Sequence, residues 1–336
     1  LLVVIAIIAL LIGILLPVLG SARSEARAAQ CGANIRSMAQ AATTYTVDYS
    51  GFLPPAYIYP TERWQGDFNN VGSYRWQVPQ PSNSVVEGYV HWSFPLFANG
   101  NAPTEAFQCP EMEFGGLPPT NADDETLSRF QGEGGYDTDN SGTVDRQVQI
   151  VAYASNEMVM PRNKFNATPR SNRLVLAEEV TNSSGTVLFT EWLDNIAAHV
   201  EPGSGIKSHR AINPVTGIGN NDQPTAINAT GDVPWIANAT GSARFGLNDY
   251  DELLRTTQSQ AGNPVNTIGR HHPGSGNDGG TGGGTTNFAS VDGSVFRDTV
   301  YNSILEKKWG ETYYSIDRTP TGTASGKIVF VNWPGD

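Results

Sequence analysis

The chain has 336 residues and 39% apolar content, enough for one large or two small domains with a sizeable core. Its formal net charge of −12 at pH 7 repels a phosphate backbone, so nucleic acid is not an expected partner. Charged residues make up only 16%, beside 36 Gly and 21 Pro, a composition that favours short strands joined by long turns.

From Leu1 to Ala22 there is no charged residue. As a helix rising about 1.5 Å per residue, this run spans roughly 33 Å, the thickness of a bilayer core. It is open to three readings: a signal peptide, a permanent anchor, or a helix that leaves the membrane to pack in an assembly. A signal peptide has a shorter apolar core and then a change of pattern. Here the pattern continues. Ala28, Cys31, Ile35, Met38, Ala42, Tyr45 and Tyr49 recur at alternating spacings of three and four, one face of a continuing helix. Arg23, Arg27, Gln30, Asn34 and Ser37 fall off that stripe and face solvent or neighbouring subunits. Gly51, followed by Pro54 and Pro55, ends the helix. Within it, Gly13 and Pro17 predict an interruption, a kink or melted turn, because proline removes a backbone donor and clashes with the preceding turn.

Past Gly51, strands are expected at 148–154, 173–177, 187–190, 287–291, 295–296 and 328–333. Asp292 and Gly293 fit a hairpin turn between two of them. The first of these strands are expected to form a sheet over the helical stripe. The Asn- and Gly-rich stretches 201–246 and 273–286 read as surface excursions.

YDTDNSGTVDR places Asp137, Asp139, Ser141, Thr143 and Asp145 at alternate positions, with Gly142 at the tight turn, as in the first nine positions of an EF-hand-like loop. Oxygen ligands at that spacing suit Ca²⁺. Val148 stands where the closing carboxylate belongs, and a solvated acidic turn is the other reading. Cys31 and Cys109 are too few for a disulfide framework and lack the spacing of a zinc site; they are either one bridge tying the helix to the rest or two buried thiols. His91, His199, His209, His271 and His272 make no helical pair, and adjacent His271 and His272 in an extended segment point to opposite sides. Glu178, Glu179 and Glu191 read as solvated acids on strands before they read as a carboxylate pair of a glycosidase. No catalytic residue and no enzymatic activity is expected. Seven Trp and twelve Tyr are chiefly core, with a sugar-binding surface as the minority reading. Asn166, Asn182, Asn228 and Asn238 open Asn-X-Ser/Thr sequences.

LLVVIAIIALLIGILLPVLGSARSEAR resembles the N-terminal segment of type IV pilins and type II secretion pseudopilins, in which a Phe-Thr-Leu-Ile-Glu run directly precedes such a sequence; the chain is expected to begin just after that glutamate. Residues 31–56, CGANIRSMAQAATTYTVDYSGFLPPA, are similar to the large pilin-like proteins abundant in planctomycetes. So are FQCPEM at 107–112, TNSSGTVLFTEW at 181–192 and NFASVDGSVFRD at 287–298. In that group a histidine precedes Asp-Gly by nine residues, whereas nineteen separate His272 from Asp292 here.

The resemblance implies an α+β, pilin-type fold: an N-terminal helix over 1–51, with 1–22 as filament core or membrane segment, and a β-rich head over 52–336 on an antiparallel sheet with large loop-rich insertions. It implies a structural subunit of a filament, carried from the inner membrane to the cell surface by an assembly machinery. Leu1, Ile5, Ile8, Ile12 and Leu16 would lie between neighbouring subunits. A pseudopilin of a secretion piston and a pilus-associated adhesin are the alternatives.

Overall fold

A computed structural model describes residues 2–58, 90–98, 100–117, 147–160, 175–195, 198–199, 211–212, 214, 233–234, 247–256, 264–274, 281–310, 312 and 328–329. Helix α1, Leu2–Asp48, is the longest element among the described residues. At about 1.5 Å per residue it extends roughly 70 Å. It ends where the backbone turns left-handed at Ser50 (φ 56°) and Gly51 (φ 87°), with the Gly51 N–H returning to the Thr46 carbonyl at 2.7 Å.

The helical assignment is unbroken through Gly13 and Pro17, so the melted turn expected there is absent. One missing donor leaves the bonds on either side intact, and the apolar neighbours of Pro17 offer the freed backbone no competing partner.

Among the described residues nine strands follow: β1 (Tyr57–Ile58), β2 (Val90–His91), β3 (Tyr153–Asn156), β4 (Val187–Glu191), β5 (Ala211–Ile212), β6 (Val233–Pro234), β7 (Thr286–Ser290), β8 (Val295–Asp298) and β9 (Ile328–Val329). Five make one mixed sheet in the order β5-β3-β4-β7-β8, antiparallel except for the β3–β5 edge. The fold is therefore α+β, a long apolar helix with a mixed sheet, rather than a purely antiparallel one. The β7–β8 hairpin turns through Asp292 and Gly293 as expected: Gly293 has φ 85°, and the Asp292 side chain accepts from the Ser294 N–H at 2.9 Å.

The helical stripe is buried at every position from Ala28 through Tyr49 at which it was expected. The strands that cover it are the late ones, β7 foremost, then β8 and β4, not the first strands of the head. Trp92, Phe107 and Phe189 pack beside them, with Trp92 and Phe189 ring centroids 4.7 Å apart. Two stretches read as surface excursions contribute to the interior instead. Ile212, in the first, is a buried residue of β5, and Thr281 and Thr286, in the second, are buried as well.

Candidate functional site

Two regions of the described chain carry chemistry: the first half of α1, and the joint where its second half meets the sheet. In the first half every large side chain from Leu2 to Leu19 is exposed. Ile5, Ile8, Ile12 and Leu16 are each half exposed or more, as are most large side chains of the segment; Leu1 lies outside the described residues. This is a helix long and apolar enough to cross a membrane, and none of its most apolar window is buried in the head. A helix apolar on all sides is stable in lipid or among other apolar helices, not in water.

Charges begin where burial begins. Arg27 meets Glu111 at 3.4 Å, Glu25 meets Arg297 at 2.8 Å, and the Ser24 hydroxyl donates to Glu111 at 3.1 Å. Below them Cys31 is disulfide-bonded to Cys109, with Cα atoms 5.2 Å apart. The covalent tie joins the helix to the segment after the 3-10 turn Thr104–Phe107. Next to it the Asn34 amide donates to the Gln108 carbonyl at 2.7 Å, and the buried Tyr153 hydroxyl reaches the Cys31 and Gln108 carbonyls at 3.1 and 3.2 Å. Burial first, and then the Glu191 charge, push the Tyr153 hydroxyl well above its ordinary pKa, so it stays a donor.

Glu191, the last residue of β4, is the centre of this joint. Its side chain is fully buried, contrary to the expectation of a solvated acid. Oε2 accepts from the Thr286 hydroxyl at 3.0 Å and the Asn287 N–H at 2.8 Å; Oε1 accepts from His272 Nε2 at 2.8 Å and the Asn287 amide at 3.1 Å. Burial pushes this carboxyl upward, but the His272 bond, the nearby imidazoles and the Asn287 N–H outweigh it and hold the pKa below the usual value. The Asn287 amide also donates to the Ala28 carbonyl at 3.2 Å, so the network reaches α1.

His271 does not point away from His272. Its Nε2 stands 4.0 Å from Glu191 Oε2 and 3.6 Å from Cys109 Sγ, and the two imidazole centroids are 4.4 Å apart. The alternation rule fails because only His272 is bridged, to Thr285, and no strand runs through the pair. Burial, against a weaker pull from Glu191, drives the His271 pKa down to about 4, so the ring is neutral at pH 7. His272 is held by residues on the far side of the glycine-rich stretch. The His272 N–H and carbonyl both pair with Thr285, and Gly284 lies so close against the His272 carbonyl that a Cβ there would collide with it.

The other expected sites divide. Asp137, Asp139, Ser141, Thr143 and Asp145 lie outside the described residues, as do His209, Asn166, Asn228 and Asn238. Asn182 is exposed, and its side chain accepts from the Gly185 N–H. Glu178 is exposed on a 3-10 turn. Trp92, Trp192 and Trp309 are core. His199 is buried, bonded through Nε2 to the Leu193 carbonyl, and pushed by burial to a pKa of about 4. Sequence reasoning missed Glu191, His272, Thr286 and Asn287 as one unit. The only sequence signal was that Glu191, His272 and Asn287 each fall in or beside a quoted motif. Comparison with protein-family models, curated proteins and solved structures finds no match.

Proposed function

We propose that the protein is a structural subunit of a type IV pilus-like extracellular filament, polymerising through the first half of α1. The observation that carries the proposal is the shape of that helix: all-round apolar and uncovered over residues 2–19, then continuous with a half that is bonded and bridged into the head. Such an element can be drawn from lipid into a bundle of like helices without refolding. Ala6, Ala9 and Gly13 allow close approach between helices. Head-to-tail contacts that do not close produce an open helical polymer.

In this reading the subunit waits in the inner membrane, an assembly machinery moves it into the fibre, and its role is mechanical, not catalytic. Ca²⁺ held by Asp137, Asp139, Ser141, Thr143 and Asp145 would stiffen the acidic loop of the head. Negative-stain microscopy and mass spectrometry of material sheared from the cell surface test the proposal. Fibres in which this chain predominates are expected. Abundant chain confined to the envelope, without fibres, overturns it in favour of a secretion pseudopilin or an anchored monomer.

A further inference from the structure

The Cys31–Cys109 bridge lies against the buried polar cluster. Cys31 Sγ, Cys109 Sγ, one Glu191 oxygen and one His272 ring nitrogen all lie within 4.8 Å of one another, and all four residues are buried. Donors around a tetrahedral zinc ion stand roughly 3 to 4 Å apart, given metal–ligand distances of about 2.0 to 2.3 Å. The cluster is thus near the size of a coordination shell, with two sulfurs, one imidazole and one carboxylate. While the sulfurs are bonded to each other they offer no thiolate.

We propose that reduction of the Cys31–Cys109 bond converts this cluster into a binding site for a single Zn²⁺ held by Cys31, Cys109, His272 and Glu191. Either a disulfide or a metal ion then joins α1 to the head. The balance is simple. A dithiol supplies two electrons and two protons to the bridge and is itself oxidised to a disulfide. Zinc then displaces the two thiol protons to solvent, and His272 retains its proton by moving it from Nε2 to Nδ1.

Four features of the joint favour this state. Oε2 of Glu191 is fixed by Thr286 and the Asn287 N–H, which leaves Oε1 turned toward His272. Zinc would take the place of the proton those two groups now share. His272 Nδ1 has no hydrogen-bond partner among the described residues, so the tautomer change breaks only the bond that zinc replaces. His271 Nε2, at 3.6 Å from Cys109 Sγ, is placed to donate to the thiolate as an outer-shell partner. Thiolate donors select zinc over the hard Ca²⁺ expected at the acidic loop. The ligands come from positions 31, 109, 191 and 272, so the site exists only in the folded chain, and metal binding adds to stability by mass action.

The test uses the full chain in detergent micelles, reduced with a phosphine, stripped of metal, and titrated with Co²⁺ and then Zn²⁺. One equivalent of Co²⁺ should give thiolate-to-cobalt charge-transfer absorption with strong tetrahedral d–d bands, bleached by one equivalent of Zn²⁺. The oxidised chain, which retains the acidic loop, should give neither. Zinc should raise the melting temperature of the reduced chain only, and His272→Gln should weaken zinc binding at least 10-fold. A reduced wild-type chain with only a weak octahedral cobalt spectrum, or equal zinc stabilisation of both redox states, overturns the proposal. So does His272→Gln binding as tightly as wild type. The wild-type cobalt spectrum decides the matter even if the variant does not fold.

Discussion

The two halves of α1 share one backbone and follow opposite rules. Over residues 2–19 the large side chains are apolar in every direction and exposed, so the residue types matter collectively. From Ala28 to Tyr49 one apolar stripe is buried, and individual atoms are specified: the Ala28 and Cys31 carbonyls, the Cys31 sulfur and the Asn34 amide each have a named partner in the head. In the function proposed above, the first half exchanges partners and the second keeps them. Substitutions in the two halves should therefore fail in different assays.

The largest effect is expected in the first half. Ile8→Asp combined with Ile12→Asp introduces two carboxylates into the span, each costing about 2.5 to 3.5 kcal/mol at its centre. Incorporation into sheared fibres should be lost altogether, while the melting temperature of the head is unchanged. A head destabilised by this pair would show that the halves are coupled and the comparison wrong.

Acid should act on the head that holds the second half, and not on the first half. His271 and His199 take up protons near pH 6.5 when unfolded, but only near pH 4 when folded, because burial disfavours the imidazolium. The unfolded chain therefore binds more protons in that window, and stability, whole above pH 6.5, falls as pH drops toward 4. Each ring accounts for up to ~3 kcal/mol, and together they set a limiting slope of ~2.7 kcal/mol per pH unit. Glu191 acts in the same direction at lower pH: its depressed pKa contributes stability above the ordinary carboxylate range that is lost as the folded group is protonated. Denaturant melts at pH 7, 5.5 and 4.5 measure the slope, and His199→Gln should about halve it. A flat profile would mean that the two rings are not shielded from water.

Packing comes next. Ile35 has no exposed surface, and Ile35→Ala should cost about 2 to 5 kcal/mol in denaturant unfolding without changing membrane partition.

Which of these features the sequence announced follows from the range of the interactions. The buried stripe was legible because a helix repeats its environment every 3.6 residues, so seven positions report one fact. The β7–β8 hairpin was legible because Asp292 and Gly293 set their turn locally. The cysteine bridge stood as one of two readings. The Glu191 joint was not legible. His272 and Glu191 are 81 positions apart and Asn287 and Ala28 are 259 apart, with no period to link them. Taken alone, an acid on a strand and two adjacent histidines have commonplace explanations. The melted turn did not form for a related reason: proline's cost is local, whereas the helix's length is set by the bonds on both sides of it.

The smallest effect lies at the boundary between the halves. Arg297 and Glu25 meet at 2.8 Å, but their side chains are 35% and 52% exposed, so solvent and salt screen the pair. Arg297→Ala should cost less than ~1 kcal/mol, with the difference from wild type shrinking as salt is raised. A larger, salt-insensitive loss would mean that this pair is desolvated. The buried region would then begin at Glu25 instead of Ala28, and the uncovered half would be about one helical turn shorter.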